Sequence, residues 1–224
     1  MGMLHRLVTI GAALLLGACS LLGQSPAEHA ASPASDTAVY TDLIKRMIDS
    51  GQYYAALAHI QQQQREGNND QLRYLEAEVR RNLGQFEAAE TLYRGLLNGP
   101  QSGGAYHGLG LLYAPRNMNT AIGYLREAAR RAPTDADTRN DLGYALLRQA
   151  RYNEALPELA TAAELDPNDD QPRNNLLLLM FLRRDEKGAQ KIIADAAVPA
   201  DTVSRLRAQA QAMQARSAGT GVRQ

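Results

Sequence analysis

The stretch DADTRNDLGYALLRQARYNEALPELATAAELDP, residues 135–167, decides the fold of this chain. Its apolar residues recur three or four positions apart in two separate runs, which is the pattern of two helices that each bury one side. We therefore predict one helix over about residues 137–149 and a second over about 153–165. Two helices joined by so short a turn form a helix–turn–helix unit.

Small residues indicate where the two helices approach each other. Gly143 lies inside the first helix, where glycine costs about 1 kcal/mol relative to alanine unless close packing requires it. We expect Gly143 to lie opposite Ala155 and Ala162 of the second helix.

The same unit recurs along the chain at intervals of 32 to 34 residues. The equivalent small residues are Ala56, Ala89, Ala121, Ala155 and Ala189. The residues three positions before them are Tyr53, Phe86, Met118, Tyr152 and Glu186. Four of these five are large and apolar, so the chain is predicted to be a repeat protein.

The unit resembles the tetratricopeptide repeat, in which small and large apolar residues stand at set places and a proline closes the repeat. The small places hold Gly143, Ala155 and Ala162. The large places hold Leu142, Leu146, Tyr152 and Leu159, and the closing residue is Pro167. Arg139 stands where the family often has tryptophan. The resemblance implies an all-α, right-handed superhelical solenoid of about five helix–turn–helix repeats with a C-terminal capping helix.

Composition agrees with a helical repeat protein. The chain has 224 residues, no tryptophan and two phenylalanines, which favours a helical solenoid over a sheet protein. Its 24 Lys and Arg residues balance 24 Asp and Glu residues. This neutral balance argues against nucleic acid as a partner, because phosphate binding needs a surplus of basic residues.

The N-terminus has the features of a secretory signal. Residues 7–18 are largely apolar and follow a short basic region, but a membrane-spanning helix needs about 20 such residues. The sequence LGAC at residues 16–19 matches the bacterial lipobox. We predict cleavage before Cys19, a diacylglyceryl group on its thiol and an acyl chain on the new amino terminus. Several acyl chains anchor a protein stably to a membrane, whereas a single chain does not.

The residue after the lipid site suggests the destination. Ser20 stands where enteric-type bacteria place the aspartate that retains lipoproteins in the inner membrane. By resemblance this implies the outer membrane, with the protein facing the periplasm. Cys19 is the only cysteine, so no disulfide is expected despite the oxidising compartment.

The predicted organisation follows from the signal, the composition and the repeats. A signal peptide covers residues 1–18, and the Ala/Ser/Pro-rich residues 19–36 form the lipidated cysteine and a flexible tether. The repeats cover about 37–69, 70–102, 103–134, 135–169 and 170–198. A capping helix over 199–216 and a disordered tail over 217–224 complete the chain.

The sequence shows no catalytic or metal-binding motif. Its four histidines form no pair with metal-ligand spacing. The run GGAYHGLG at residues 103–110 lacks the Lys-Ser/Thr of a phosphate loop, and no strand precedes it. The acidic run at 166–170 lacks the Gly and Glu of a calcium loop. We therefore expect no enzyme activity, no metal, no small-molecule substrate, and no cofactor besides the lipid on Cys19.

The resemblance also implies a binding surface. In the family, the first helices of the repeats line the concave inner face and bind protein segments. The corresponding residues here are Thr41, Lys45, Tyr74, Glu78, His107, Leu111, Asn140, Tyr144, Asn174 and Leu178. This mixture of aromatic, amide and apolar residues with few charges suits an extended or helical peptide. The set of Lys and Arg residues that forms the family's carboxylate clamp is absent.

The lipobox and residues 37 to about 200 together resemble the TadD lipoproteins of tight-adherence (Flp/Tad) pilus systems. The phrases RNDLGY at 139–144 and RNNL at 173–176 support this resemblance. It implies a pilotin-like scaffold that binds a secretin subunit and aids its localisation and assembly. The alternatives are a type IVa pilus pilotin, an accessory lipoprotein of β-barrel insertion, an adaptor for cell-wall hydrolases, and a periplasmic enzyme or hydrolase regulator.

Overall fold

A computed structural model describes the backbone of residues 33–221 and the side chains of residues 39–216. The helices of this part are α1 (Pro33–Asp49), α2 (Tyr53–Glu66), α3 (Asp70–Asn82), α4 (Phe86–Gly95), α5 (Ser102–Tyr113), α6 (Met118–Arg131), α7 (Ala136–Arg148), α8 (Tyr152–Leu165), α9 (Asp170–Arg183), α10 (Glu186–Asp195) and α11 (Ala200–Gly221). Consecutive helices pack as five pairs, and α1 packs on α3, α3 on α5 and α7 on α9. The predicted all-α solenoid of five helix pairs and a final helix is confirmed.

A capping aspartate explains where the first helix of the fourth repeat begins. The Asp135 carboxylate accepts a 2.7 Å hydrogen bond from the backbone N–H of Thr138, which caps the start of α7. The observed helices, Ala136–Arg148 and Tyr152–Leu165, lie within one residue of the predicted bounds.

Four of the five helix pairs turn through a residue in the left-handed backbone region. Gly51 and Gly84 have φ angles of 72° and 75°, which glycine adopts without a Cβ clash. Ala150 and Arg184 occupy the same place in the fourth and fifth pairs, with φ angles of 55° and 59°. In each turn the next backbone N–H donates to the carbonyl five residues earlier, which closes the helix end.

Leucine side chains of the second helices pack against glycines of the first helices. A Cβ on Gly143 would lie 2.6 Å from Cγ of Leu159, and a Cβ on Gly110 would lie 2.6 Å from Cγ of Leu125. Leu159 lies one turn from both Ala155 and Ala162 on α8, and its backbone N would lie 3.2 Å from that Cβ of Gly143. The close approach predicted at Gly143 is therefore present, and the nearest side chain there is a leucine.

The helical part of the chain extends beyond the predicted limits at both ends. Helix α1 begins at Pro33, inside the predicted tether, and α11 continues through Gly221, beyond residue 216. A helix lengthens readily at its end, because each added residue gains a backbone hydrogen bond without a new nucleus.

Residues 1–32, which include the predicted signal peptide and Cys19, and residues 222–224 lie outside the described part. Among the helices that the structure does describe, none has the length and apolar character needed to cross a membrane.

Candidate functional site

The concave face carries a depression of about 560 Å³ in its N-terminal half, hereafter the groove. It is lined by α1, α3, α5 and the start of α7, so four repeats contribute to it. Four of the predicted binding residues line it together: Tyr74, Glu78, His107 and Leu111. Lys45 of α1 lies at the same groove, as expected from its place in the first repeat.

Other groove residues were not singled out from the sequence. They are Ile48, Asp49, Leu75, Arg81, Asp135 and Asp137. Helical spacing could have indicated two of them. Asp137 lies one turn before the predicted Asn140, and Arg81 lies one turn after the predicted Glu78, on the same helix face in each case. Asp49 and Asp135 lie at helix ends, where periodicity does not define a face. The groove is therefore more charged than the predicted mixture.

Glu78 is held in place by two donors beneath the groove. The hydroxyl of the fully buried Tyr93 donates to Glu78 Oε1 at 2.5 Å, and Arg81 Nη2 donates to Glu78 Oε2 at 2.8 Å. Burial, together with the negative charge of Glu78, raises the pKa of the Tyr93 phenol, so it stays protonated and able to donate. Both carboxylate oxygens of Glu78 are thus engaged, and its charge is balanced by Arg81.

Two glycines of α5 leave room for the tyrosine rings of this network. A Cβ on Gly104 would lie 2.7 Å from the Tyr74 ring, and a Cβ on Gly108 would lie 2.3 Å from the Tyr93 ring. The two rings lie with their centroids 6.4 Å apart. The glycine run at residues 103–110 therefore serves helix packing at the base of the groove.

His107 is tied to the next repeat by a hydrogen bond. Its Nε2 lies 2.7 Å from Asp141 Oδ2. Burial favours the neutral ring, but the hydrogen bond and charge of Asp141, with the charges of Glu78 and Asp135, raise the pKa of His107. Asp137 keeps an exposed surface, yet desolvation in the groove and the nearby Asp135 raise its pKa. The α7 side of the groove is thus rich in negative charge.

The C-terminal half of the concave face is filled by α11. Leu178, predicted to be a binding residue, has no exposed surface and shares a buried cluster with Leu206 and Ala210 of α11. Asn140, also predicted, is 3% exposed, and its Oδ1 accepts a 2.8 Å hydrogen bond from Asn175 Nδ2. Asn140 therefore joins α7 to α9 in this conformation, and Leu178 belongs to the core.

The three remaining predicted residues, Thr41, Tyr144 and Asn174, are not among those that line the groove, and Thr41 is half-buried on α1. Tyr144 lines a hollow of about 300 Å³ with Arg148, Gln209 and Met213. Asn174 is half-buried on α9, and its Oδ1 is enclosed without a hydrogen-bond donor among the described residues. Five of the ten predicted positions thus line the groove together, and the other five do not.

The groove offers the chemistry of noncovalent binding. Apolar side chains, an aromatic ring and carboxylates together contact a protein segment through burial, stacking and ion pairs. Across the described side chains, no three His, Cys, Asp or Glu residues are grouped so that they could hold a metal ion.

Comparison with known proteins places this architecture in a family. The model of the tetratricopeptide repeat family matches residues 112–178. The TPR repeat-containing protein PA4299 of Pseudomonas aeruginosa is 36% identical over 195 residues, which cover 85% of this chain and 78% of that protein. The chain belongs to the tetratricopeptide repeat family. Proteins of this family bind protein partners, and this tetratricopeptide repeat chain has the build of a protein-interaction scaffold.

Solved structures show the same fold at low sequence identity. TTC0263, a thermophilic TPR protein of Thermus thermophilus, aligns with a TM-score of 0.59 and 20% identity over 79% of this chain and 98% of that chain. MamA of Desulfovibrio magneticus aligns with a TM-score of 0.55 and 21% identity over 75% of this chain and 94% of that chain. At these identities the likeness concerns the tetratricopeptide repeat fold alone.

Proposed function

We propose that this tetratricopeptide repeat protein is a pilotin-like scaffold of the TadD type. In this role it binds a segment of a secretin subunit and aids the localisation and assembly of that secretin in Flp/Tad pilus biogenesis. The observation that supports the proposal most is the groove, because its side chains are held in place before any ligand arrives. Tyr74 and Glu78 are fixed by the packing against α5 and by the bonds of Tyr93 and Arg81.

Pre-organised side chains favour binding because less conformational entropy is lost when the partner docks. The groove also has the volume of a ligand site, between about 300 and 1,000 Å³. By contrast, the C-terminal half is already covered by a helix of the same chain. The partner segment therefore binds to the first four repeats.

The proposed location is the periplasmic face of the outer membrane, with lipid on Cys19 as the anchor. Residues 20–32 separate Cys19 from α1, and a chain of that length reaches at most about 45 Å when fully extended. The α1 residues that line the groove lie at the far end of that helix, which adds about 24 Å, so this anchor would hold the binding site within about 70 Å of the bilayer. A secretin segment near the outer membrane lies within its reach.

Site-specific photo-crosslinking in native membranes tests this function. A photoreactive amino acid replaces Leu111, which lines the groove, or Tyr54, which is 78% exposed on the second helix of the first repeat. Adducts are identified by mass spectrometry. We expect a secretin subunit as the main adduct from position 111 and a much weaker one from position 54.

Other adducts would change the conclusion in defined ways. A secretin of a type IVa system, a β-barrel insertion complex or a cell-wall hydrolase at position 111 would overturn the assigned system and keep the groove as the interface. Adducts from position 54 alone would show that the partner binds the outer face of the solenoid.

A further inference from the structure

Negative charge in the groove exceeds what its own cations balance. Arg81 pairs with Glu78 at 2.8 Å, and Lys45 lies 4.0 Å from Asp42. Asp49, Asp135 and Asp137 make no ion pair with any described residue, although all three line the groove. Asp135 is used as the cap of α7, but a capping carboxylate keeps its charge.

These three carboxylates stand at opposite sides of an apolar floor. Asp49 is the last residue of α1, and Asp135 and Asp137 lie at the start of α7. Ile48, Leu75 and Leu111 line the groove between them. Neighbouring helices pack about 8–10 Å apart, so a segment that crosses from α1 to α7 spans no more than about 30 Å.

We propose that the groove selects a basic segment, with Lys or Arg side chains at its two ends and apolar residues between them. The inference rests on the proposed function, in which a protein segment fills the groove, and it adds the chemistry of that segment. The apolar residues cover Ile48, Leu75 and Leu111, and the cationic side chains meet Asp49 at one end and Asp135 with Asp137 at the other. An arginine suits such a place because its planar guanidinium binds carboxylate oxygens in pairs.

The electrostatics of the α7 side support this choice. The pKa of Asp137 is raised because the site is desolvated and other carboxylates lie near it, and the charge of His107 offsets this only in part. A bound cation relieves this repulsion, whereas an acidic segment adds to it. A segment that ends in carboxylates is thus disfavoured.

Three labelled peptides of equal length provide the test, with fluorescence anisotropy on the purified full chain as the measurement. The first carries Arg near both ends and Leu in its centre. The second has Gln in place of Arg, and the third keeps Arg and has Ser in place of Leu. We expect the first to bind roughly tenfold tighter than either of the others, since two ion pairs and apolar burial each contribute.

Matched variants test the carboxylates themselves. Asp135→Asn/Asp137→Asn removes two charges and keeps the helix cap, because asparagine caps as well as aspartate. Asp166→Asn/Asp201→Asn removes two charges from exposed places outside the groove. The groove variant should bind the Arg/Leu peptide roughly fivefold more weakly, and the control variant should bind it like the wild type.

Equal binding of the Arg and Gln peptides, or an equal loss in both variants, would overturn the inference. If the peptide with Ser in its centre binds as tightly as the peptide with Leu, charge attraction alone explains the binding, and the inference is overturned as well. The crosslinking result is independent of these outcomes. A secretin adduct at position 111 without charge preference overturns only this inference, and charge preference without a secretin adduct overturns only the assigned partner.

Discussion

The ring of the buried Tyr93 fills the space that a side chain at position 108 would need, since a Cβ on Gly108 would lie 2.3 Å from that ring. The ring fits beneath the groove because α5 has no side chain at that position. The same ring hydroxyl holds Glu78 at 2.5 Å. The contact between α4 and α5 therefore serves both helix packing and the position of Glu78 in the groove.

Gly108→Ala should destabilise the protein by roughly 1–3 kcal/mol, because the added methyl group overpacks the site and displaces the Tyr93 ring. Urea unfolding followed by circular dichroism measures the change. Gly123→Ala is the matched control, since glycine 123 is exposed on α6 with nothing within 4 Å of its Cβ position. The control should gain about 0.5–1 kcal/mol from helix propensity. A Gly108→Ala variant as stable as the wild type would contradict the packing described.

Tyr93→Phe should cost roughly 1–3 kcal/mol, because it removes a buried donor from the charged Glu78 carboxylate. The measurement is the free energy of unfolding in urea. Tyr113→Phe removes a similar hydroxyl, which donates to Glu90 at 2.8 Å at a less buried site. We expect a loss below about 1 kcal/mol there. Equal losses in both variants would contradict a special role for the buried bond.

The His107–Asp141 bond should make stability depend on pH. The folded-state pKa of His107 is raised above its unfolded value of about 6.5. Its contribution is therefore fully present below about pH 6.5 and is lost as the pH rises through the folded-state pKa. Unfolding free energies at pH 5.5 and pH 8.5 should show that His107→Gln lowers stability more at the lower pH. An equal effect of His107→Gln at the two pH values would contradict this role of the bond.

Ala150→Gly should stabilise the protein by about 0.5–1 kcal/mol. Ala150 has a φ of 55°, which costs an L-residue about 1–2 kcal/mol, partly offset by the greater freedom of glycine in the unfolded chain. Thermal unfolding measures the gain. Ala114→Gly is the control, because Ala114 ends α5 with a φ of −53°. That control should lose stability by a similar amount, and a loss in both variants would contradict the strain at Ala150.

Cys19→Ala should detach the protein from the membrane and leave its fold unchanged, because the predicted lipid anchor depends on that thiol. Membrane fractionation and circular dichroism measure the two effects. Ser20→Ala, one residue further on, should stay in the membrane fraction. If the Cys19→Ala variant stays in the membrane fraction, this contradicts the lipoprotein hypothesis.

The sequence alone determined the repeat architecture, and the reason is that its signals are local. The periodicity around Gly143 and Ala155 predicts helices α7 and α8 within one residue, because each helix needs a stripe of apolar residues three or four apart. The number of repeats follows from the same spacing. Five of the ten predicted binding residues, Lys45, Tyr74, Glu78, His107 and Leu111, also lie together in the groove.

Only the tertiary structure decided which part of the concave face is open. Leu178 is buried in a cluster that includes Leu206 and Ala210 of α11, which are far from it in sequence. Likewise Asn140 is buried because α9 supplies Asn175 as a partner. Contacts between distant segments are not encoded in a local period, since they depend on how the last helix folds back. The charge of the groove has the same origin, because Asp49 and Asp137 line one groove only when four repeats stack.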